Sequence, residues 1–183
     1  MTDGKRALIV GAGAGLSAAV ARQLAAEGWQ VCLSARNTAK LAGLCAEIGA
    51  TAHACDATDP DQVAALFADL EQSGGAPAFV LYNASRRAPG AITDLDPAEV
   101  RTAIEISAFG GFLVAQQAAR RMLPAGAGAI FFTGASASVK GYPRSSSFAM
   151  GKFALRGLAQ SLARELHPQG IHIAHFVIDG GIA

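Results

Sequence analysis

The segment GAGAGLS at Gly11–Ser17 follows an apolar run, Lys5–Val10, and opens a helical pattern. Glycines at such a junction permit a tight turn and let backbone N–H groups approach an anion, a phosphate above all, at the helix N-terminus. Gly11, Gly13 and Gly15, with Leu16 beside them, are the candidates for that role. The six-residue pattern Gly-x-Gly-x-x-Gly is not met, because Leu16 stands where its last glycine belongs. Read alone, the loop also fits a packing turn; its place behind a first strand favours the phosphate reading. A second cue closes the next apolar run, in LSARN. An acidic residue there would accept hydrogen bonds from a ribose 2′-hydroxyl. Arg36 stands there instead, and a guanidinium fork suits a 2′-phosphate. A solvated loop arginine is the bland alternative. The pair of cues points to NADP(H) ahead of NAD(H). Metal chemistry is not expected. His172 and His175 lie three apart in a strand and so face opposite ways. Cys32, Cys45 and Cys55 are odd in number and irregular in spacing, which fits neither a disulfide framework nor a zinc site.

The elements that would carry these residues alternate regularly. Strands are predicted over Lys5–Val10, Trp29–Ser34, Thr51–Cys55, Ala78–Tyr82, Ala129–Thr133 and Ile171–Ile178. Helices are predicted over Ala14–Glu27, Thr38–Ile48, Pro60 to about Glu71, Pro97 to about Leu123, and Ser147 to about His167. Asp59-Pro60 and Asp96-Pro97 are both capping residues followed by proline at the first helical position. Several strands are unbroken apolar runs, as in strands covered by helices on both faces. Such alternation predicts an α/β fold: a doubly wound, Rossmann-like parallel sheet of order 3-2-1-4-5-6 with helices on both faces. In that fold ligands bind at the carboxyl edge of the strands, where all the cues above collect. Residues 1–183 are expected to form one domain. The chain stops at Ala183 just past the sixth strand, with no capping helix or polar tail, so a truncated longer protein is an open alternative. At 51% hydrophobic and 16% charged residues the chain can build a core and is not disordered. A formal net charge of +1 offers no footprint for nucleic acid, and no apolar run or leader points to a membrane. A cytoplasmic protein is expected.

With these residues in view, the chain resembles the short-chain dehydrogenases/reductases over essentially its whole length. The loop Gly11-x-x-x-Gly15-Leu16 is similar to that family's Gly-x-x-x-Gly-x-Gly, with Ser17 at the last glycine. The resemblance implies that Asp56, with Ala57, accepts from the adenine amino group. YNAS at the fourth strand tip resembles Asn-Asn-Ala-Gly, keeping Asn83 and Ala84 but carrying Tyr82 and Ser85. The family's catalytic set is a Ser, a Tyr thirteen residues later and a Lys four further on. The Tyr moves the proton of the substrate oxygen, the Lys lowers the Tyr pKa and holds the nicotinamide ribose, and the Ser polarises the substrate.

On that template Lys152, in FAMGKFAL, is the lysine. Phe148 stands at the tyrosine position, Ala135 at the serine position with Ser136 and Ser138 nearby, and Ser107 at the position of the family's helix Asn. Phe148 has no proton to give. The resemblance is therefore to a divergent branch, and three readings follow. One is an oxidoreductase acting on a carbonyl or alcohol whose proton comes from Tyr142, Ser136, Ser138 or water. The second is a nucleotide-binding protein without turnover. The third is a non-catalytic subunit built on the small-residue helices that carry Gly110, Gly111, Gly151 and Gly157. The resemblance implies that these two helices form a dimer core, so a homodimer or homotetramer acting on a small-molecule substrate is expected. Arg86 and Arg87, just past the fourth strand, read as solvated loop residues or as contacts for an anionic substrate.

Overall fold

In a computed structural model of the chain, residues 5–180 are described; the expectation concerning Ala183 lies outside them. Six strands form one parallel sheet: β1 (Arg6–Val10), β2 (Gln30–Ala35), β3 (Thr51–Ala54), β4 (Phe79–Tyr82), β5 (Gly128–Thr133) and β6 (Ile171–Phe176). Their spatial order is β3-β2-β1-β4-β5-β6, and every neighbouring pair is parallel. The chain thus winds outward in both directions from β1, as expected for the doubly wound fold. Its switch point lies between β1 and β4, beside the glycine loop.

Helices α1 (Leu16–Ala26), α2 (Ala42–Ile48), α3 (Pro60–Gly74), α4 (Pro97–Ile104), α5 (Gly110–Met122) and α6 (Ser146–Leu166) cover the sheet. Successive residues of β1 divide between the two cores. Leu8 and Val10 pack with Phe67, Val114, Phe132 and Leu155 under α3, α5 and α6. Ala7 and Ile9 pack with Ala21, Leu24, Leu33 and Leu41 on the α1 side. This two-sided burial explains the unbroken apolar runs. The capping prolines behave as their sequence suggests. Asp59 accepts from the N–H groups of Asp61 (2.9 Å) and Gln62 (3.1 Å), and Asp96 from that of Ala98 (2.9 Å).

Beyond small shifts at element ends, such as α1 starting at Leu16 and α3 running on to Gly74, the structure departs from the predicted elements as follows. The second helix is split, with a 3-10 turn over Ala39–Leu41 before α2. The sixth strand ends at Phe176, two residues short of Ile178. The long fourth helix contains a π-helical turn, Glu105–Phe109, between α4 and α5. The Tyr82 hydroxyl donates to the Ile106 carbonyl inside that turn, giving the widened helix a partner from the sheet. Gly110 and Gly111 are needed here. A Cβ on Gly110 would meet the Ala57 carbonyl at 2.8 Å, and one on Gly111 would meet Leu155 Cδ1 at 2.7 Å. A Cβ on Gly151 of α6 would meet Ser107 Cβ at 2.7 Å. Three of the four glycines set aside for subunit contact therefore serve packing within the chain; at Gly157 a Cβ would meet open space. No helix among the described residues is long and apolar enough to cross a membrane.

Candidate functional site

The carboxyl ends of the strands open into two adjoining cavities that share Asn83 and Ser85 in their walls. The first, about 320 Å³, is bounded by the glycine loop and the tips of β2 and β3. The second, about 750 Å³, lies over the tip of β5 and against α6.

The glycine loop is shaped by its neighbours. Gly11 has φ +79°, in the left-handed region that glycine tolerates. A Cβ there would sit 2.7 Å from Ala84 Cβ and closer still to the Ala84 backbone. Asn83 fixes the same contact: its backbone N–H donates to the Val10 carbonyl (2.8 Å) and its side-chain amide to the Gly11 carbonyl (3.0 Å). The kept pair Asn83-Ala84 therefore holds the tips of β1 and β4 together. Ser17 closes the turn from within α1, accepting from the Gly13 N–H (2.8 Å) and donating to its carbonyl (3.1 Å). Gly13 and Gly15 have nothing within 4 Å of where a Cβ would be. Their bareness leaves room for a ligand to approach the start of α1. Leu16 lies beyond the loop, in the wall of the second cavity.

Arg36 lines the first cavity from the tip of β2 and is exposed. Lys40 lines it too, a cation that sequence reasoning missed; its four-residue spacing from Arg36 is the signal that was there to read. Among the described residues neither cation has an ion-pair partner. Asp56 and Ala57 line the opposite wall. The Asp56 carboxylate accepts from the N–H (3.0 Å) and hydroxyl (2.8 Å) of Thr58, so one of its oxygens is already engaged in a turn.

In the second cavity Lys152 reaches from α6 to the end of β5, where its ammonium donates to the Thr133 carbonyl at 2.7 Å. Only 3% of Lys152 is exposed. Burial, reinforced by the nearby Arg87 guanidinium, brings its pKa down to about 8. Phe148, one helical turn earlier, has its ring centroid 5.7 Å from that ammonium, and the Arg87 guanidinium lies 4.1 Å from the same centroid. Ser136 and Ala135 line the cavity, whereas the Ser138 hydroxyl is fully buried and accepts from the Ala135 N–H at 3.0 Å. Ser138 is thus a structural cap. Ser107 is also fully buried, beside Gly151, with its hydroxyl 3.4 Å from the Arg86 N–H. Tyr142 lies on the loop before α6, 40% exposed and outside the cavity lining. The Ser136 hydroxyl, and then the Lys140 ammonium, hold its phenol below the ordinary value. No hydrogen bond closes between Tyr142 and either group in this conformation. Arg86 is tied to Glu99 in an ion pair, leaving Arg87 alone at the cavity. Ser147, which the sequence did not single out, exchanges two hydrogen bonds with the Ala88 backbone (2.8 and 3.2 Å) and pins the Arg87 loop to α6.

The short chain dehydrogenase family model matches residues 5–181. The chain belongs to the short-chain dehydrogenase/reductase family. A short-chain dehydrogenase from Rhodopseudomonas palustris is similar at 36% identity, with a TM-score of 0.90 over 96% of this chain and 85% of that one. A metagenomic short-chain oxidoreductase solved in complex with NADP is 27% identical, with a TM-score of 0.89 over 98% and 83%. The 3-oxoacyl-[acyl-carrier-protein] reductase MabA of Mycobacterium avium is 29% identical over 90% of this chain. The chain spans 62% of the length of that relative. Short-chain dehydrogenases/reductases use NAD(P), and the groove fits such a group: bare glycines at a helix start, two unpaired cations at the β2 side, and a buried lysine at the far end.

Proposed function

We propose that the chain binds NADP(H) along this groove and acts as a short-chain oxidoreductase on a small carbonyl or alcohol, with an altered proton-donating set. The observation that carries the reading is the pairing of an open glycine cradle with a buried Lys152 at the two ends of one continuous edge. Arg36 and Lys40 would receive a 2′-phosphate; Gly13, Gly15 and the start of α1 the pyrophosphate; Asp56 and Ala57 the adenine. The NADP bound to the metagenomic relative supports the same choice.

Bound here, NADPH supplies hydride to the substrate carbonyl; the chain's share is the proton taken up by the carbonyl oxygen. Phe148 offers none. Ser136 faces the cavity, and Tyr142, with its lowered pKa, stands behind it beside Lys140. We assign the proton to that group, with Lys152 holding the ribose. The same Phe148 favours a second reading, nucleotide binding without turnover, in which Lys152 grips the ribose alone.

Residues 1–183 serve in this reading as one dinucleotide-binding domain of a homodimer or homotetramer. Phe109 and Phe112, stacked at 6.1 Å, together with Met150 and Phe153 of α6, are exposed apolar residues that a second copy would cover. The free Cys32 and Cys55 thiols suit the reducing cytoplasm.

Titration of the protein with NADPH and NADH tests the cofactor assignment. A charge-assisted contact to phosphate is worth about 1.5–3 kcal/mol, so NADPH should bind roughly tenfold tighter or more. Arg36→Ala should remove most of that preference. Equal affinities, or a preference for NADH, would contradict it.

A further inference from the structure

Building on the proposed oxidoreductase reading, we infer that the substrate of this site carries a carboxylate, and that Arg87, stacked on Phe148, is the residue that binds it.

The two arginines that follow β4 have separate fates. Arg86 spends its charge on Glu99. Among the described residues Arg87 has no ion-pair or hydrogen-bond partner, yet it is not adrift: its guanidinium is held 4.1 Å from the Phe148 centroid. A guanidinium over an aromatic face keeps its N–H donors free at its edge, where a carboxylate can be bound in bidentate fashion. The loop carrying it is fixed from below by the Ser147 bonds to Ala88, so the cation is presented at a defined place. Among the described residues no Asp or Glu lines the second cavity. Asp179, flanked by two lining residues, acts on Lys140 and Tyr142 instead. Lys152 lies against the same Phe148 ring on its other contact. Among the described residues the cavity therefore holds two cations and no carboxylate.

Arg87 is also placed away from the expected cofactor phosphates. It lines only the second cavity, whereas Gly13, Arg36 and Lys40 line the first. Phe148 acquires a reason for being aromatic: it is a positioning residue, the platform that aims Arg87 into the cavity. A short oxo acid, with its carbonyl toward Ser136 and Lys152 and its carboxylate on Arg87, is the class of substrate this arrangement accepts.

Calorimetric titration with acetoacetate and with neutral 2,4-pentanedione, on the protein with and without saturating NADP, is the test. Acetoacetate should bind at least about tenfold tighter than the diketone. Arg87→Gln should remove that difference, Arg87→Lys should restore part of it, and Arg86→Gln should leave it intact. Phe148→Leu should weaken acetoacetate while Phe148→Tyr, which keeps the ring, should not. NADPH affinity should be unchanged in Arg87→Gln. Equal binding of the acid and the diketone, or acetoacetate binding indifferent to Arg87 in both forms, would overturn the inference. So would a loss of NADPH affinity in Arg87→Gln, which would assign the arginine to the cofactor. Failure of the parent to bind NADPH would instead strike the proposed function, and the cofactor-free titration would still decide the role of Arg87.

Discussion

The two ends of the groove are built on different principles. At the nucleotide end the decisive features are backbone ones: Gly11 at φ +79° against Ala84, bare Gly13 and Gly15, and Asn83 tying β4 to β1. At the other end the backbone frame is equally well made, with Lys152 on the Thr133 carbonyl and Gly151 against Ser107, but the side chains projecting from it are Phe148, Ala135 and Ser107. A backbone cradle fails when one residue gains a Cβ. A side-chain constellation can lose a hydroxyl and leave the fold unharmed. On the proposed reading, the nucleotide end can thus stay constant while the chemistry beside it changes.

The largest expected effect on stability is at the backbone end. Gly11→Ala forces a Cβ onto Ala84 and an L-residue into the left-handed region. The obstacle is backbone rather than the tip of a flexible side chain, so relief is costly. Overpacking and strain together should cost about 2–5 kcal/mol, measurable by urea unfolding, with loss of NADPH binding. A stable, binding-competent Gly11→Ala protein would erase the contrast between the two ends.

A smaller effect of opposite sign is expected at Lys152. Its pKa falls from the ordinary 10.5 to about 8 because burial disfavours the charged form. Below pH 8 both folded and unfolded chains carry the proton, and the folded chain bears the full cost of burying it. Between pH 8 and 10.5 the folded chain releases the proton while the unfolded chain keeps it, so the cost disappears across that window. At about 1.4 kcal/mol per pKa unit, partly offset by the lost bond to Thr133, Lys152→Met should be more stable than the parent by about 1–3 kcal/mol at pH 7. The gap should close as pH rises toward 10.5. Referencing the variant to the parent at each pH cancels the contribution of Cys55, whose thiol burial pushes up to about 11. A gap that is constant or widens with pH would show that Lys152 is not desolvated in this way.

Much of the fold could be read from local signals, because those signals act locally. Asp59-Pro60 and Asp96-Pro97 start helices by capping and fixed φ, and unbroken runs such as Leu8–Val10 need helices on both faces. The glycine loop, Arg36 and Asn83 could be located at the carboxyl edge once strand order followed from the alternation. The π-helical turn could not be read, since the contact made to it, from the Tyr82 hydroxyl, comes from a distant strand. Ser147 and Thr133 escaped notice for the same reason: one acts through the Ala88 backbone and the other through its own carbonyl, so neither residue type announces the role. Gly110, Gly111 and Gly151 were legible as sites of close approach, but not which surface approaches them; Tyr82, Leu155 and Ser107 of the same chain do.

The proposed contrast between a complete nucleotide end and a rewritten chemical end is tested most directly by Phe148→Tyr, measured for NADPH affinity and for the rate of NADPH-dependent reduction of a simple diketone. The substitution places a hydroxyl one helical turn before Lys152, whose charge would lower the pKa of the new phenol. General acid catalysis contributes about 10²–10⁴-fold, and Ala135→Ser with Ser107→Asn should add to the gain. The account predicts an NADPH affinity equal to that of the parent and a rate increase approaching that range. A parent already fast on the diketone and unchanged by Phe148→Tyr would contradict it, and loss of that activity in Tyr142→Phe would then locate the proton donor.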